Sequence, residues 1–524
     1  MSEIIFTIAG KPEALHTDSQ KSWMQALEDN GIFLDAPCGG HGSCGKCRIL
    51  VNGKEVLACQ TQAAQGAVLT LPARHTAKIL SAGQSETLET DGQTAYALAI
   101  DLGTTTIVCC LRDGVSGALL AQKSCLNPQT QYGADVISRI ECAQAHGAQA
   151  LSACVWEAFE TLTEQCTKDA GIVASQIGMV CIVGNTAMHH LLLGFDTKPL
   201  ITPPYMPASC IAIERRGIPE LPCCAGAMLR VLPNIAGFVG ADTVGCLCAA
   251  QFDQISELTL LIDIGTNGEM VLGNQARRVA CSTAAGPAFE GAKISCGMRG
   301  ASGAVDHVRQ GNSTVLFHTV DDAPAIGLCG SGLLDLVAVL LELNIIDESG
   351  RLTCGERYTL PGTDVFLTQK DIREVQLAKA AIRAGIELLC SHLGVRTRDI
   401  QQVLLAGAFG NYLAPASACR IGMIPMQLLD RIHGIGNAAG DGAQRCALSK
   451  AEFERSKRLA AGTEFLELAS KPDFHDFIWP STLTSTAGRA IGRYDRILVV
   501  SFSSAASSAL SVSAAVSVTP SVSP

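Results

Sequence analysis

The sequence predicts a multidomain α/β protein in which a small α+β unit, residues 1–75, precedes a larger α/β region, residues 96–477. The prediction rests on the chain length, on a cysteine-rich loop near the N-terminus, and on two matching strand-to-turn segments further along. With 524 residues, the chain is too long for a single hydrophobic core. Hydrophobic residues make up 48% and charged residues 17%, proportions typical of a folded globular protein.

The first 75 residues carry the local signals of a small mixed sheet. β-prone runs predict short strands, at 4–8, 14–17, 48–51, 55–59 and 67–71. Ser19 is the predicted N-cap of a helix over residues 20–30. Asn52-Gly53 stands between two of the β-prone runs and therefore predicts a hairpin.

Four cysteines form a pattern suited to an iron–sulfur cluster. Cys38, Cys44 and Cys47 lie on one loop and Cys59 follows on the returning strand, with the spacing C-x5-C-x2-C-x11-C. Thiolates are soft ligands that suit iron, and the glycines within the loop let the backbone fold around a cluster. A zinc site and disulfides are the alternatives, but zinc sites usually use two separated C-x2-C pairs. The pattern favours a [2Fe–2S] cluster on these four thiolates.

The remaining composition predicts how the rest of the chain is organised. Residues 76–95 are mostly polar and predict a flexible linker, whereas from residue 96 to 477 apolar strands alternate with helices, which indicates sheets covered by helices. Residues 478–524 are rich in Ser, Ala and Val and are interpreted as a low-complexity tail. Within that tail, the uncharged run 497–518 contains 8 serines among 22 residues, so we expect no membrane span.

Charge and cysteine usage exclude several classes of protein. The formal net charge of −10 leaves no basic surplus to neutralise phosphates, so we expect no nucleic-acid partner. The N-terminus lacks the basic and long apolar segments of a signal peptide. In a chain of this length without an export signal, 23 cysteines favour free thiols and metal ligands over disulfides. We therefore expect a cytoplasmic protein.

Two strand-to-turn segments share one pattern of residues. The first, 98–107, contains Asp-Leu-Gly-Thr-Thr-Thr from Asp101, and the second, 260–269, contains Asp-Ile-Gly-Thr-Asn-Gly-Glu from Asp263. An aspartate at a strand end can hold hydrated Mg²⁺, and the turn offers N–H and hydroxyl donors to phosphate oxygens. Ordinary tight turns use the same residues, but two copies together predict two related half-domains that face one nucleotide.

These segments resemble known families. Residues 1–75 resemble the β-grasp [2Fe–2S] ferredoxin module, and the two turns resemble the phosphate motifs of the actin, heat-shock chaperone and sugar kinase (ASKHA) superfamily, a two-lobed ATPase fold. The segment 403–411 resembles that superfamily's adenosine motif, and 327–335 resembles a connecting helix. The resemblance implies Asp101 and Asp263 as catalytic carboxylates. It also implies a set of nucleotide-binding residues, which are Gly103, Thr104, Thr105, Gly265, Thr266, Asn267, Gly330, Gly332, Gly407 and Gly410.

The two halves together resemble the reductive activators of corrinoid proteins over about residues 1–477. The likeness also rests on the segments 132–140, 285–290 and 434–439. It implies ATP-dependent reduction of a corrinoid from Co(II) to Co(I) for methyl transfer, with a [2Fe–2S] cluster, ATP and Mg²⁺ as cofactors. The implied partners are a corrinoid protein of a methyltransferase system and a low-potential reductant such as a ferredoxin, flavodoxin or reductase. A homodimer is compatible with this resemblance.

Alternatives remain open from the sequence. An ATP-dependent activator of another low-potential enzyme and an ASKHA-type small-molecule kinase would carry the same nucleotide turns. Glu269 and Glu290 are secondary candidates that either position the hydrolytic water or pair with nearby cations. His189 and His190 lie on an apolar run, where a core or interface histidine is the main interpretation and an approach to cobalt is the alternative.

Overall fold

The computed structural model of this protein describes residues 3–8, 14–18, 20–29, 47–71, 87–265, 267–311, 314–407 and 412–468. All of these residues belong to one compact unit, Met1–Thr486. The predicted tail with its candidate membrane run lies outside the described residues. Among the helices that are described, none has the length and apolar character needed to cross a bilayer.

The N-terminal unit is a five-stranded mixed sheet with one helix against it. Its strands are β1 (Glu3–Ile8), β2 (Ala14–Asp18), β3 (Arg48–Val51), β4 (Lys54–Leu57) and β5 (Val68–Thr70). They are hydrogen-bonded in the order β2-β1-β5-β3-β4. The helix α1 (Trp23–Asp29) packs Trp23 on Phe6 of β1, with ring centroids 5.3 Å apart and both side chains buried. This aromatic pair forms the centre of the small core.

Two details of this unit test the sequence predictions. The hairpin at Asn52-Gly53 is confirmed, because both residues have positive φ and Val51 pairs with Lys54 across the turn. Ser19, the predicted N-cap, lies outside the described residues. Helix α1 begins at Trp23, and Ser22 caps it through a reciprocal pair of hydrogen bonds with Gln25: the Gln25 N–H donates to Ser22 Oγ at 3.3 Å, and the Ser22 N–H donates to Gln25 Oε1 at 3.0 Å.

The first lobe of the larger region is built on a six-stranded sheet. Its strands are β6 (Tyr96–Leu102), β7 (Thr106–Asp113), β8 (Leu119–Leu126), β9 (Ile177–Gly184), β10 (Ile213–Arg216) and β11 (Met228–Val231). The order is β8-β7-β6-β9-β11-β10, in which β6, β7 and β8 form an antiparallel meander and β9 and β11 continue parallel to β6. Three helices pack on one face, namely α2 (Val136–His146), α3 (Gln149–Ala170) and α4 (Thr186–Leu193).

The second lobe repeats this arrangement. Its main strands are β12 (Thr259–Ile264), β13 (Gly268–Gly273), β14 (Arg278–Thr283), β20 (Gln402–Ala406), β21 (Ile432–Gly434) and β22 (Thr463–Phe465). The order β14-β13-β12-β20-β21 reproduces β8-β7-β6-β9-β11, with the same antiparallel meander followed by parallel strands. The structure thus confirms the fold predicted from the two matching turns.

Shorter elements complete the second lobe. They are β15 (Ala304–Gln310), β16 (Val315–Thr319), β17 (Gly327–Leu328), β18 (Arg357–Thr359) and β19 (Phe366–Thr368), with the helices α6 (Gly330–Glu342), α7 (Gln369–Leu393) and Pro415–Arg420. Helices α6 and α7 contribute to the hydrophobic core of this lobe.

A third core lies between the two sheets and joins the lobes. It contains α5 (Ala241–Ala249), the helix Ala438–Leu448 and the helix Lys450–Ala461, together with apolar side chains from both sheets. The first two of these helices cross so closely that a Cβ at Gly442 would overlap the carbonyl oxygen of Gly245. Small residues therefore set the distance between the helices that connect the lobes.

The described part of the predicted linker differs from the prediction. Asp91 donates its N–H to the Leu448 carbonyl at 3.1 Å, and its carboxylate accepts from the Ser449 hydroxyl at 3.0 Å and the Lys450 N–H at 2.6 Å. Residues 87–95 are thus attached to the junction between the last two helices. Their polar side chains form specific hydrogen bonds, so the polar composition that predicted a flexible linker does not indicate a free segment here.

Candidate functional site

Two of the four predicted cluster cysteines lie among the described residues, and the hairpin brings them together. Cys47 precedes β3 and Cys59 follows β4 in a short 3₁₀ turn, so the register that pairs Arg48 with Leu57 places the two cysteines side by side. Their Sγ atoms are 3.3 Å apart. Cys38 and Cys44 lie outside the described residues.

This thiol pair fits a shared metal. Two thiolates on one tetrahedral metal, with bonds of about 2.3 Å, lie roughly 3.8 Å apart, whereas a disulfide bond is only about 2.05 Å long. Cys47 is buried and Cys59 is half-buried, and the Gln60 amide donates to Cys59 Sγ at 3.8 Å. Donors of this kind stabilise thiolate sulfur and influence the potential of a bound cluster.

The larger site is a cavity of about 340 Å³ between the two lobes. Both predicted turns open into it, since Asp101 ends β6 in the first lobe and Asp263 ends β12 in the second. Its lining includes most of the residues expected to bind nucleotide, namely Gly103, Thr104, Thr105, Gly265, Asn267, Gly330 and Gly407. The repeated topology explains why the two turns open into the same cavity, because corresponding strand ends of the two similar lobes face one another.

The first turn is held by side chains that lie far away in the sequence. The Gly103 N–H donates to the Thr106 carbonyl at 3.0 Å, which closes the turn. Asn127, buried below it, donates its N–H to the Thr105 carbonyl at 2.9 Å and its side-chain amide to the Gly103 carbonyl at 2.8 Å. The Asn185 amide donates to Thr104 Oγ1 at 2.8 Å. The turn is therefore fixed before any ligand binds.

The second turn is supported from the adenosine-motif side. The Gly265 N–H donates to the Asn267 carbonyl at 2.9 Å. Gly407 has φ +87°, and a Cβ there would lie 2.6 Å from Asp263 Oδ1. Because any larger residue at position 407 would meet the carboxylate, glycine is needed next to Asp263. The Cys246 thiol of α5 donates to the other carboxylate oxygen of Asp263 at 3.6 Å.

Four carboxyl groups, of Asp101, Asp242, Asp263 and Glu269, give the cavity its electrostatic character; Glu269 is buried and the three aspartates are half-buried. Burial raises the pKa of Asp101 to about 7, although a hydrogen bond from Asn437 opposes this shift. Burial also raises the pKa of Asp263 to about 6 and that of Asp242 to about 7, and the charge of Asp263 adds to the effect on Asp242. The pKa of Glu269 is raised well above its usual range, first by burial and then by Asp242 and Asp263. Such a cluster favours a bound cation.

The carboxyl groups fit a hydrated magnesium better than a cation enclosed by protein ligands. Among the described residues, no three Asp, Glu, His or Cys side chains converge as a set of metal ligands. Mg²⁺ commonly keeps several waters and binds through one or two carboxylates together with substrate phosphates. Asp101 and Asp263 at the two strand ends are the side chains suited to hold such an ion.

Comparison with known proteins agrees with this architecture along the chain. Residues 6–68 match a family described as the 2Fe-2S iron-sulfur cluster binding domain, residues 96–255 match the RACo middle region, and residues 257–489 match the C-terminal domain of RACo, the ASKHA domain. The corrinoid activation enzyme RamQ of Eubacterium limosum is 36% identical over 418 residues, which cover 74% of this chain and 70% of RamQ. The chain belongs to the reductive activators of corrinoid proteins.

Two further relatives of this activator agree with the assignment. The [Co(II) methylated amine-specific corrinoid protein] reductase of Methanosarcina barkeri is 29% identical over 294 residues, which cover 51% of this chain and 54% of that protein. The solved structure of a reductive activator for corrinoid, iron-sulfur protein superposes with a TM-score of 0.69 at 27% identity, over 92% of this chain and 98% of that one. The predicted family is confirmed.

The activator's predicted site residues divide into three groups. Most line the cavity, as described above, while Thr266 and Gly410 lie outside the described residues. Gly332 is not among the lining residues, and a Cβ there would overlap the carbonyl oxygen of Val305, so α6 packs closely against β15 at that point. Its role in nucleotide binding stays a prediction.

Several residues of the activator's site were not predicted as site residues from the sequence. Asp242 lines the cavity from the first turn of α5, and Asn437, the N-cap of the helix Ala438–Leu448, hydrogen-bonds to Asp101. Asn185, which donates to Thr104, also lines the cavity. A polar residue at a helix start beside small residues was the only local signal for Asp242 and Asn437.

The two histidines of α4 are core residues of the activator. The ring nitrogen Nδ1 of His190 lies 2.8 Å from the Thr186 carbonyl, and its Nε2 accepts the Ala208 N–H at 3.0 Å. His189 is buried, and burial lowers its pKa to about 3. The main interpretation from the sequence therefore agrees with their position, away from the residues that line the cavity.

Proposed function

We propose that this activator binds Mg–ATP between its lobes and reduces the corrinoid of a partner protein from Co(II) to Co(I), taking the electron through its N-terminal unit. The observation that carries the proposal is the presence in one chain of the Cys47–Cys59 thiol pair and of a cavity that joins Asp101 to Asp263. In this division of labour, residues 1–75 accept the electron and residues 96–477 bind the nucleotide and the partner.

The cavity residues have distinct tasks in this proposal. Asp101 and Asp263 orient the waters around the magnesium ion, while the N–H groups and hydroxyls of the turns at 103–106 and 265–267 bind phosphate oxygens. Asp242 and Glu269, whose pKa values are raised, are suited to accept the proton of the attacking water. The matched turns let hydrolysis change the contacts of both lobes at once.

The reduction needs ATP for a thermodynamic reason. A [2Fe–2S] cluster of the plant type supplies one electron at a potential of about −400 mV. For a one-electron transfer, a cluster potential about 59 mV above that of the Co(II)/Co(I) couple makes the equilibrium constant for reduction tenfold unfavourable. A nucleotide can offset this only by changing the chain's affinity for the two states of the partner, and a tenfold difference in affinity compensates about 59 mV. The lobes are the element that can produce such a difference.

We further propose the finer identity of the partners. The electron acceptor is a corrinoid protein of a methyltransferase system, and the electron donor is a low-potential ferredoxin, flavodoxin or reductase in the cytoplasm. The names of the relatives support a corrinoid acceptor. The partly exposed Cys59 thiol, on a small separate sheet, supports a protein donor that docks on the N-terminal unit.

The test is anaerobic reduction of a Co(II) corrinoid protein, with titanium(III) citrate as the electron source and the Co(I) absorption band as the readout. Four reactions are compared: the wild-type chain with and without Mg–ATP, Cys47→Ser with Mg–ATP, and Asp263→Asn with Mg–ATP. We expect Co(I) only in the first reaction. Asp263→Asn should retain the visible spectrum of the cluster, which separates loss of ATP use from loss of the electron carrier. Equal rates and extents of reduction with and without ATP would refute the proposal.

A further inference from the structure

One hydrogen bond joins the two lobes across the wall of the nucleotide cavity. The Thr105 hydroxyl, in the first phosphate turn, donates to Oε2 of Glu290 in the second lobe at 2.9 Å. Both residues line the cavity. The Thr105 hydroxyl is the donor that the motif is expected to use for a phosphate oxygen. Here it binds a carboxylate of the opposite lobe instead.

The two ends of this bond are held differently. The backbone of the first turn is fixed by Asn127, so the hydroxyl is the part of Thr105 that can change its acceptor. Glu290 ends the 3₁₀ turn Pro287–Glu290, next to the buried ring of Phe289. Gly291 follows with φ +77°, and a Cβ there would lie close to the backbone of Met298. The carboxylate is therefore carried by the second lobe and moves with it.

The surroundings of Thr105 favour an anion at this point. Arg139 is fully buried in α2 and donates its Nε–H to the Gly133 carbonyl at 2.9 Å, while its Nη2 finds no hydrogen-bond acceptor within the described part of the chain. The charge of Glu290 acts on this guanidinium. A buried positive charge close to the turn attracts either the Glu290 carboxylate or the phosphate of a nucleotide, but two anions on one hydroxyl repel each other.

We infer that Glu290 is a gate: its carboxylate occupies the phosphate position at Thr105 in the nucleotide-free protein, and the terminal phosphate of ATP must displace it. The inference rests on the proposed function, which places ATP in this cavity. Displacement breaks the bond between the lobes at the same moment that the nucleotide binds. Binding of ATP is thereby coupled to a rearrangement of one lobe relative to the other, which the reduction mechanism requires.

The gate predicts that one substitution in the binding site strengthens the binding of Mg–ATP instead of weakening it. Glu290→Gln keeps the shape of the side chain but removes the charge that competes with phosphate, so Mg–ATP should bind about tenfold more tightly. A residue that binds the nucleotide, its magnesium or the attacking water would show weaker or unchanged binding when altered in this way. The matched control is Asp306→Asn, which removes another carboxyl that lines the cavity and whose Oδ1 lies 2.7 Å from His318 Nδ1 within its own lobe.

The experiment measures Mg–ATP affinity of the full chain by isothermal titration calorimetry, without reductant or partner so that turnover stays slow. A gain of about tenfold in Glu290→Gln, with less than a twofold change in Asp306→Asn, is the expected result. An unchanged or weaker affinity in Glu290→Gln overturns the gate. An equal gain in both variants also overturns it, because the effect would then come from the general field of the cavity. Absence of binding to the wild-type chain would instead refute the proposed function.

Hydrogen exchange gives a second measurement that does not depend on nucleotide affinity. Without nucleotide, amides of the short turn that carries Glu290, residues 288–291, should exchange faster in Glu290→Gln than in the wild-type chain, because the bond between the lobes is weakened. With saturating Mg–ATP, the two proteins should exchange at the same rate. Identical exchange in the nucleotide-free proteins would show that the Thr105–Glu290 bond does not hold the lobes together.

Discussion

Replacement of Asp242 by asparagine should stabilise the nucleotide-free protein at pH 8. Asp242 is half-buried at the start of α5, and the loss of hydration around its carboxyl, together with the charge of Asp263, raises its pKa to about 7. At pH 8 the wild-type carboxyl is therefore ionised in a place that disfavours its charge. Asparagine has nearly the same shape, and its Oδ1 can accept the Thr243 N–H that now donates to Asp242 at 2.7 Å. The substitution removes the charge without leaving this donor unpaired.

The size of the effect follows from the pKa. A carboxyl with a pKa of 3.8 when unfolded and about 7 when folded costs about 4 kcal/mol of stability at pH 8. The charge of Asp242 also affects the ionisation of Asp263 and Glu269, so its removal changes the charge on these neighbours as well. We therefore expect a net gain in stability of about 2 kcal/mol. The unfolded chain binds fewer protons than the folded one between pH 4 and 7, so the wild-type stability falls as the pH rises through this range. At pH 5.5 roughly half of the gain should remain.

The assay is thermal unfolding of the ATPase region in EDTA, without nucleotide, at pH 8 and pH 5.5. In a domain of this size 1 kcal/mol moves the midpoint by roughly 1 to 2 °C, so a rise of about 2 to 4 °C is expected at pH 8. The matched control is Asp253→Asn, at a half-buried carboxyl whose pKa is lowered by its hydrogen bonds to Arg455. That variant should be less stable at both pH values. A midpoint in Asp242→Asn that is unchanged or lower at pH 8, or a gain independent of pH, would refute the reasoning.

Three other substitutions test separate parts of the chain. Cys59→Ser should lose bound iron and acid-labile sulfide while ATP hydrolysis persists, and one zinc per chain without sulfide in the wild-type protein would contradict the cluster assignment. Asp263→Asn should abolish phosphate release with an unchanged visible spectrum, whereas surviving turnover would move the nucleotide site elsewhere. Gly442→Ala forces a methyl group onto the Gly245 carbonyl and should lower the free energy of unfolding by about 1–3 kcal/mol. The control Gly226→Ala should have little effect, because the added methyl group would lie in open space. Equal thermal midpoints for the two variants would contradict the packing argument.

Local patterns carried the sequence predictions that the structure confirmed. The Asn52-Gly53 hairpin was evident because two-residue turns of this type need positive φ, and its register then placed Cys47 beside Cys59. The repeated Asp-x-Gly-Thr turns were evident because each is a strand end followed by small donors. The prediction that Asp101 and Asp263 face one nucleotide followed from the repetition itself, and both do line the cavity.

Other features arise only when distant segments meet. Asp242 and Asn437 enter the site from the starts of two helices that cross between the lobes, and no spacing in the sequence relates either residue to Asp101. The close packing of Gly332 on Val305 likewise joins two elements that no local pattern relates. Residues 87–95 are as polar as a linker, but Asp91 finds partners at the junction of the last two helices.

The sequence by itself determined the two lobes, the module with the cysteines, and the two Asp-x-Gly-Thr turns, because each depends on the conformational preferences and side-chain chemistry of neighbouring residues. The tertiary structure decided the electrostatics of the site and the contact between the lobes. Burial sets the pKa values of Asp101, Asp242 and Asp263, and burial is a property of the whole packed chain. The Thr105–Glu290 bond joins residues 185 positions apart, so only the closure of the two sheets around one cavity brings that donor to its acceptor.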